Sequence, residues 1–231
     1  MSIDVSYPYI FRGRRHGRRL RPKMAKLLKE DLPKVIIEPT VHKGTIDPFA
    51  LFSPPPLETW LEIGFGAGEH MAWQAKNNPN IGIIGCEPFI NGIASLLRHS
   101  SDQQLSNIRI LADDARPFLP KIPDECISRL FILFPDPWPK KKHQDRRIIQ
   151  NSVLTEFHRI LKPGGKLRVA TDHQFYLRWI LIHFNNHSGF LWTAQTPKDW
   201  RSRAIDWPQT RYELKALSAG RKPIFLEYKK V

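Results

Sequence analysis

The sequence predicts an α/β fold built on a mostly parallel sheet, and three observations carry that expectation. From Thr59 onward, short apolar runs alternate with longer amphipathic stretches, the pattern of repeated strand–helix–strand units. A glycine-rich turn, Gly64, Gly66 and Gly68, ends the first apolar run and opens a helical stretch, as tight strand-to-helix turns require. The 231 residues, 41% of them hydrophobic, suffice for one sizeable core.

Strands are expected at Trp60–Gly64, Ile81–Glu87, Ile108–Ala112, Ile127–Phe134 and Leu167–Thr171, five parallel strands with helices between them. The clearest helix is Gln144–Leu161: Ile149, Val153, Phe157, Ile160 and Leu161 recur on one face, and Pro163, Gly164 and Gly165 stop it. Phe190–Ala194 and Ile224–Tyr228 are expected as a late hairpin-like pair, separated by a long polar loop, Gln195–Pro223. Ahead of the first strand, FRGRRHGRRLRP (Phe11–Pro22) carries six Arg with almost no apolar periodicity and reads as a mobile or partner-ordered arm. Residues 1–50 form this basic arm and its lead-in, and residues 51–231 one domain.

Charge narrows the function. Thirty-six Lys and Arg against 22 Asp and Glu leave +14, a field that favours polyanions, nucleic acid first. For the arm, the plain alternative is a solvated tail, but Arg with Gly spacers and no acidic neighbour suits phosphate. No apolar run approaches a membrane span, and the N-terminus has no apolar signal core, so a soluble cytoplasmic protein is expected. Cys86 and Cys126, both in apolar segments, read as reduced core thiols. The nine histidines show no ligand spacing, so no metal is expected.

The glycine turn lies in LEIGFGAG (Leu61–Gly68), and Glu87 ends the second strand 23 residues after Gly64, where a carboxylate accepts hydrogen bonds from ribose hydroxyls. A dinucleotide fingerprint requires its third glycine where Glu69 stands. Glu62 and Glu87 would also repel a pyrophosphate, whereas a cationic sulfonium welcomes them. S-adenosylmethionine is therefore the expected cofactor. Asp113 and Asp114 follow the third strand, with Asp114 favoured as the acceptor for an adenine amino group. Any one of these carboxylates alone reads equally well as a loop or capping residue.

The fourth strand breaks at FPDPWPKKKHQDRR (Phe134–Arg147), where prolines fix a turn. Asp136 would emerge beside the cofactor, with Trp138 as an aromatic face and Lys140, Lys141, Lys142, Arg146 and Arg147 following. The bland alternative is a proline-rich loop capping the next helix, with Trp138 in the core and the cations merely solvated.

LEIGFGAG, the Glu87 strand end, FPDPWPKKKHQDRR, VATD and TRYE together resemble the bacterial tRNA (guanine-N7)-methyltransferase family over nearly the whole chain; the FPDPW-K-basic run is the most specific element. The resemblance implies a Rossmann-like class I methyltransferase with a mostly parallel seven-stranded sheet and helices on both faces. It implies methyl transfer from S-adenosylmethionine to N7 of guanine 46 in the tRNA variable loop. By resemblance, Glu62, Gly64, Gly66, Gly68, Glu87, Asp114 and Asp136 line the cofactor pocket, and Asp136 is also the catalytic residue. Lys140, Asp172, Thr210, Arg211, Tyr212 and Glu213 fall at substrate positions, and Lys142–Arg147, Arg146 and Arg147 included, at RNA-contact positions. The family's TRFE is TRYE here, which keeps the ring. No protein partner is implied beyond a monomer or homodimer.

The chemistry is consistent with that resemblance. Guanine N7 is a lone-pair acceptor without a hydrogen, so its attack on a methyl group needs no strong base and positioning dominates. Competing readings are a methyltransferase of an exocyclic amine, whose Asp-Pro-Pro-aromatic turn DPWP only approximates, and a non-catalytic RNA-binding module. A carbon-5 pyrimidine methyltransferase requires a nucleophilic thiol that buried cysteines do not supply. A protein or small-molecule methyltransferase leaves the basic arm unexplained.

Overall fold

A computed structural model describes residues 11, 13–38 and 44–231 of the chain. Two helices, α1 (Pro22–Glu30) and α2 (Leu32–Val35), precede β1 (Glu58–Ile63), α3 (Glu69–Asn77), β2 (Ile81–Cys86), α4 (Ile90–Gln103) and β3 (Ile108–Leu111). Then come β4 (Ile127–Leu133), α5 (Asn151–Ile160), β5 (Leu161–Thr171), α6 (Gln174–Asn185), β6 (Phe190–Trp192), α7 (Pro197–Arg201), α8 (Arg211–Ser218) and β7 (Ile224–Lys230). The sheet has seven strands in the order β3-β2-β1-β4-β5-β7-β6. The first five are parallel; β7 inserts antiparallel between β5 and β6.

Both sheet faces are covered, as a parallel sheet of near-continuous apolar strands demands. Trp60, Ile83, Ile108, Ile110 and Phe131 pack under α1, α3 and α4, with Leu27, Met71, Ile93 and Leu96 as their contacts. The alternate residues Leu61, Ile84, Leu130, Ile132 and Val169 face α5 and α6 through Leu154, Phe157, Tyr176 and Ile180. Ile37 and Ile46, which precede β1, belong to that second layer, and Ile37 N–H bonds Ile110 O at 2.8 Å.

Two expectations about secondary structure are corrected. The helix expected over Gln144–Leu161 begins only at Asn151; before it, Lys141–Arg146 forms a 3₁₀ helix and Arg147 and Gln150 are extended. Ile149 is buried as its spacing suggests, but side chains satisfy its backbone: its N–H donates to the Tyr176 hydroxyl at 3.4 Å, and its carbonyl accepts from Trp179 Nε1 at 2.7 Å. The loop expected over Gln195–Pro223 contains α7 and α8. Both start on threonine caps: Thr196 with Asp199 in a capping box, and Thr210, whose hydroxyl accepts from Glu213 N–H.

The described part of the arm is not detached. Ile90 N–H donates to Arg15 O at 2.9 Å, and Asn91 bonds Gly17 N–H at 2.8 Å and Arg18 O at 2.8 Å. The arm thus lies over the start of α4, and Arg15 pairs with Asp113 at 2.7 Å.

Candidate active site

Parallel strands deliver their C-terminal ends to one edge of the sheet, where loops and helix starts leave room for a ligand. Gly64, Glu87, Asp113 and Asp114, Asp136, and Asp172 follow β1, β2, β3, β4 and β5 respectively. A cleft of about 1030 Å³ opens there. Its lining includes Glu62, Gly64, Gly66, Glu87, Asp114, Asp136, Thr210, Arg211 and Tyr212, with Phe11, Gly13 and Arg14 of the arm along one side.

The glycine turn is built by backbone geometry. Gly64 and Gly66 have φ of 73° and 55°, in the left-handed region, and both border open cleft, with no atom within 4 Å of where a β-carbon would stand. Gly68, at φ 78°, is dictated by packing as well: a β-carbon there would lie 2.6 Å from Leu96 Cβ, closing off the approach of α3 to α4. Gly68 supports the turn and does not itself line the cleft.

Glu87 is held by two backbone amides. Its Oε2 accepts from Gly66 N–H at 2.8 Å and its Oε1 from Phe89 N–H at 2.9 Å. Burial nevertheless pushes its pKa up from 4.5 to about 7; the two amides pull it down, and Asp136 and Glu62 add to the rise. Glu62, 2% exposed, accepts a hydrogen bond from His70 Nδ1 at 2.7 Å. His70 Nε2 meets Gln74 Nε2 at 3.1 Å, and Gln74 also donates to Asp206 O at 2.8 Å. With the Gln74 amide as donor to both, His70 carries its proton on Nδ1, toward Glu62.

Asp114 is engaged by its own turn: Oδ1 accepts from Arg116 N–H at 2.8 Å and from Arg116 Nε at 3.0 Å, and Oδ2 from Arg116 Nη2 at 3.2 Å. Asp136 differs. Among the described residues its carboxylate has no hydrogen-bond or ion-pair partner, and the surrounding protein raises its pKa by desolvation although the side chain is open to the cleft. The turn that presents it is strained at both ends, with Phe134 at φ 52° and Trp138 at φ 40°. Arg146 lies over the Trp138 ring at 4.9 Å from its centroid, and His143 meets the ring edge-on.

The remaining expected residues divide. Lys140 and Lys142 are exposed and, among the described residues, have no ion-pair partner. Arg211 is anchored to the start of α3, its N–H and its Nε each bonding the Glu69 carboxylate at 2.7 Å. Tyr212 packs its ring 5.3 Å from that of Phe134. Glu213, 4% exposed, pairs with Arg203 at 2.8 Å, and Asp172 pairs with Arg221 at 2.6 Å; neither borders the cleft. Arg147 contradicts its expected place on an RNA-facing surface. It is 1% exposed, turned inward beneath the Asp136 turn, because the Phe175 and Trp179 rings and loop carbonyls receive its guanidinium.

Sequence reasoning overlooked His70, Gln74 and Glu69. The signal was modest: Glu69 stands at the first position of the helix after the glycine turn, and His70 and Gln74 are spaced to share one helix face.

Comparison with known proteins decides the family. A family model described as "Putative methyltransferase" matches residues 57–226. The tRNA (guanine-N(7)-)-methyltransferase of Rhodospirillum rubrum is 48% identical over 223 residues, covering 95% of this chain and 87% of its own. The chain belongs to the tRNA (guanine-N7)-methyltransferase family. Family members of the same description from Paramagnetospirillum magneticum and Agrobacterium fabrum are each 43% identical, covering 95% and 94% of this chain and 92% and 94% of their own. Among solved structures, the 16S rRNA methyltransferase KamB superposes with a TM-score of 0.54 at 14% identity, over 76% of this chain and 88% of its own. An rRNA methylase from Streptococcus thermophilus gives 0.52 at 11% identity, over 75% and 87%. These two likenesses establish the fold, the Rossmann-like class I arrangement in which this tRNA (guanine-N7)-methyltransferase family member holds its cleft.

Proposed function

We infer that this chain transfers a methyl group from S-adenosylmethionine to N7 of guanine in tRNA, and that the target is guanine 46 of the variable loop. The observation that carries this reading is the placing of charge: Glu62, Glu87 and Asp114, all buried, line the cleft with Asp113 and Asp136 in a protein of net charge +14, and apart from Arg116, which pairs with Asp114, the cations that line it, Arg14, Arg146, Arg211 and Lys215, lie nearer the surface. An acidic interior suits a cationic cofactor and disfavours a pyrophosphate; basic flanks suit a nucleic acid.

The residues fit that cofactor. S-adenosylmethionine supplies an electrophilic methyl group on a sulfonium sulfur. Glu87, fixed by the Gly66 and Phe89 amides, keeps acceptor lone pairs for ribose hydroxyls. Gly64 and Gly66 leave room where side chains would intrude, and Gly68 keeps the turn closed. Glu62, oriented by His70, brings negative charge toward the sulfonium, and Asp114 retains acceptor capacity for the adenine amino group.

Asp136 is the catalytic residue of this reading. Without a partner of its own, its carboxylate is free to accept hydrogen bonds from the guanine Watson–Crick edge and to offset the positive charge that N7 alkylation creates. N7 carries no hydrogen, so no base has to remove one, and in-line approach of nucleophile and methyl carbon to about 3–3.5 Å is the main task. Lys140, Asp172, Thr210, Arg211, Tyr212 and Glu213 shape the guanine side, Glu213 and Asp172 by fixing neighbouring segments through Arg203 and Arg221. Lys142, Arg146 and the arginine arm grip phosphates; the target base must be accessible in a loop, since A-form helices hide N7.

Residues 51–231 act as the catalytic domain and residues 1–50 as its arm and lead-in, in the cytoplasm, as a monomer or homodimer. No described helix is long and apolar enough to cross a membrane. Burial holds the Cys126 thiol up at about 11 and Cys86 well above its ordinary range, which disfavours a thiol nucleophile and with it carbon-5 chemistry.

The test is incubation with unmodified tRNA and methyl-labelled S-adenosylmethionine, nucleoside digestion and mass spectrometry, beside a tRNA whose guanine 46 is adenine. Labelled 7-methylguanosine that disappears with the substitution supports both chemistry and site. Product that persists refutes the site; a methylated exocyclic amine refutes the chemistry.

A further inference from the structure

We propose that Arg147 is a positioning residue for the Asp136 turn and makes no contact with RNA, a role that rests on the methyltransferase reading of that turn. It closes the basic run KKKHQDRR, and its neighbours Lys141, Lys142 and Arg146 keep exposure that Arg147 lacks at 1%. A guanidinium so enclosed has no surface to offer a phosphate.

Its bonds all lead back to the turn. Nε donates to Pro137 O at 3.1 Å and to Trp138 O at 3.3 Å, and Nη2 donates to Trp138 O at 2.8 Å. These carbonyls directly follow Asp136. The prolines at 135, 137 and 139 remove three of the turn's amide donors, and among the described residues the Asp136 and Trp138 amides make no backbone bond, so ordinary backbone pairing does not hold it. A left-handed Trp138 at φ 40° needs external fixation, and Arg147 supplies it.

The cation is in turn clamped from α6. Its guanidinium carbon lies 4.2 Å from the Trp179 ring centroid and 4.8 Å from that of Phe175. Trp179 is itself tied to Ile149 O at 2.7 Å, and Ile149 N–H to Tyr176. No carboxylate among the described residues pairs with Arg147, so carbonyls and rings alone offset its burial, and its Nη1 is buried without a hydrogen-bond partner. That arrangement sets where a loop sits. It also explains why Arg147 and Gln150 are extended: a helix starting at Gln144 would withdraw the side chain from both carbonyls.

The experiment compares R147K and R147M with wild type and with K142A. Lysine can restore a single bond to the carbonyls, methionine none. We expect kcat to fall about a hundredfold in R147M, as for a catalytic group displaced by an ångström, and less in R147K. Cofactor affinity, tRNA affinity and the salt dependence of tRNA binding should stay within twofold of wild type. Hydrogen exchange, read by mass spectrometry over residues 134–147, should quicken at least tenfold in R147K, a readout that needs no substrate. K142A should show the opposite profile, weaker tRNA binding with that exchange unchanged. Weakened, less salt-sensitive tRNA binding in R147K would overturn the proposal, as would unchanged turnover or unchanged exchange. If R147M does not fold, R147K decides alone. Wild type making no 7-methylguanosine would sink the functional reading, and the exchange result would still judge the positioning role.

Discussion

Replacing Glu87 by Gln should remove a pH dependence that wild type carries in its cleft. The carboxyl is 7% exposed and its pKa stands at about 7 instead of 4.5, with burial as the main cause. A raised folded-state pKa means that the fold favours the protonated form. The stability it contributes is full below 4.5 and is lost as pH rises through about 7. The gap between those values corresponds to about 3 kcal/mol. Gln is neutral throughout, and its single carbonyl can serve only one of the Gly66 and Phe89 amides, a cost that does not vary with pH. The informative quantity is therefore the wild-type-minus-variant difference in unfolding free energy, measured by urea titration of cofactor-free protein from pH 4.5 to 8. It should move by about 3 kcal/mol against wild type across that range. A cationic cofactor favours the ionised form, so wild-type affinity should rise by up to about tenfold per pH unit toward pH 7 and level above it, whereas the variant should stay flat. Parallel stability curves for the two proteins would refute the reasoning.

Asp136→Asn keeps the size and one acceptor but loses the charge; kcat should fall about 10- to 100-fold, the worth of a hydrogen bond to a charged group, with cofactor affinity within twofold, and wild-type turnover would remove the charge-based role. Lys142→Ala should weaken tRNA binding and lower the slope of log affinity against log salt by about one, measured by filter binding at several salt concentrations, with cofactor binding unchanged. Glu69→Ala frees the Arg211 N–H and guanidinium at the start of α8; KM for tRNA should rise about fivefold with a smaller change in kcat, and an equal fall in cofactor affinity would count against that assignment.

The strands were legible because a parallel sheet buried on both faces needs continuous apolar runs: the first four lie within two residues of their expected bounds, and the fifth ends where expected but starts six residues early, at Leu161, taking in Pro163, Gly164 and Gly165. That Gly64, Gly66, Glu87, Asp114 and Asp136 meet at one cleft was equally readable, since glycine turns and strand-end carboxylates follow from local geometry. What escaped depends on partners distant in sequence. The arm reads as mobile, yet Asn91, 74 residues from Gly17, receives its backbone. Arg147 reads as one more solvated cation, and only Phe175 and Trp179, brought over by α6, turn it inward. Ile149 matches a helical spacing but is buried from an extended segment, a case in which tertiary hydrogen bonds override a local period. Thr210 and Glu213 did carry a readable helix-start signal, Thr three residues before Glu, which the polar composition of the surrounding segment obscured.

The glycine-turn helix ties together the two sides of the cleft, which the proposed reading gives to cofactor and to guanine. At its first position Glu69, standing where a dinucleotide site would need glycine, grips Arg211 of the TRYE segment. One residue on, His70 fixes Glu62 on the floor of the pocket, and one turn later Gln74 bonds both His70 and the carbonyl of Asp206. Asp206 is held in place by Arg129 of β4 and Arg168 of β5, the strands that flank the Asp136 turn. The segment from Asp206 to Arg211 is thus tied at both ends to α3 and through Asp206 to the sheet. Departure from the dinucleotide pattern at position 69 therefore has a structural use of its own: the carboxylate that stands there joins α8 to the glycine-turn helix α3.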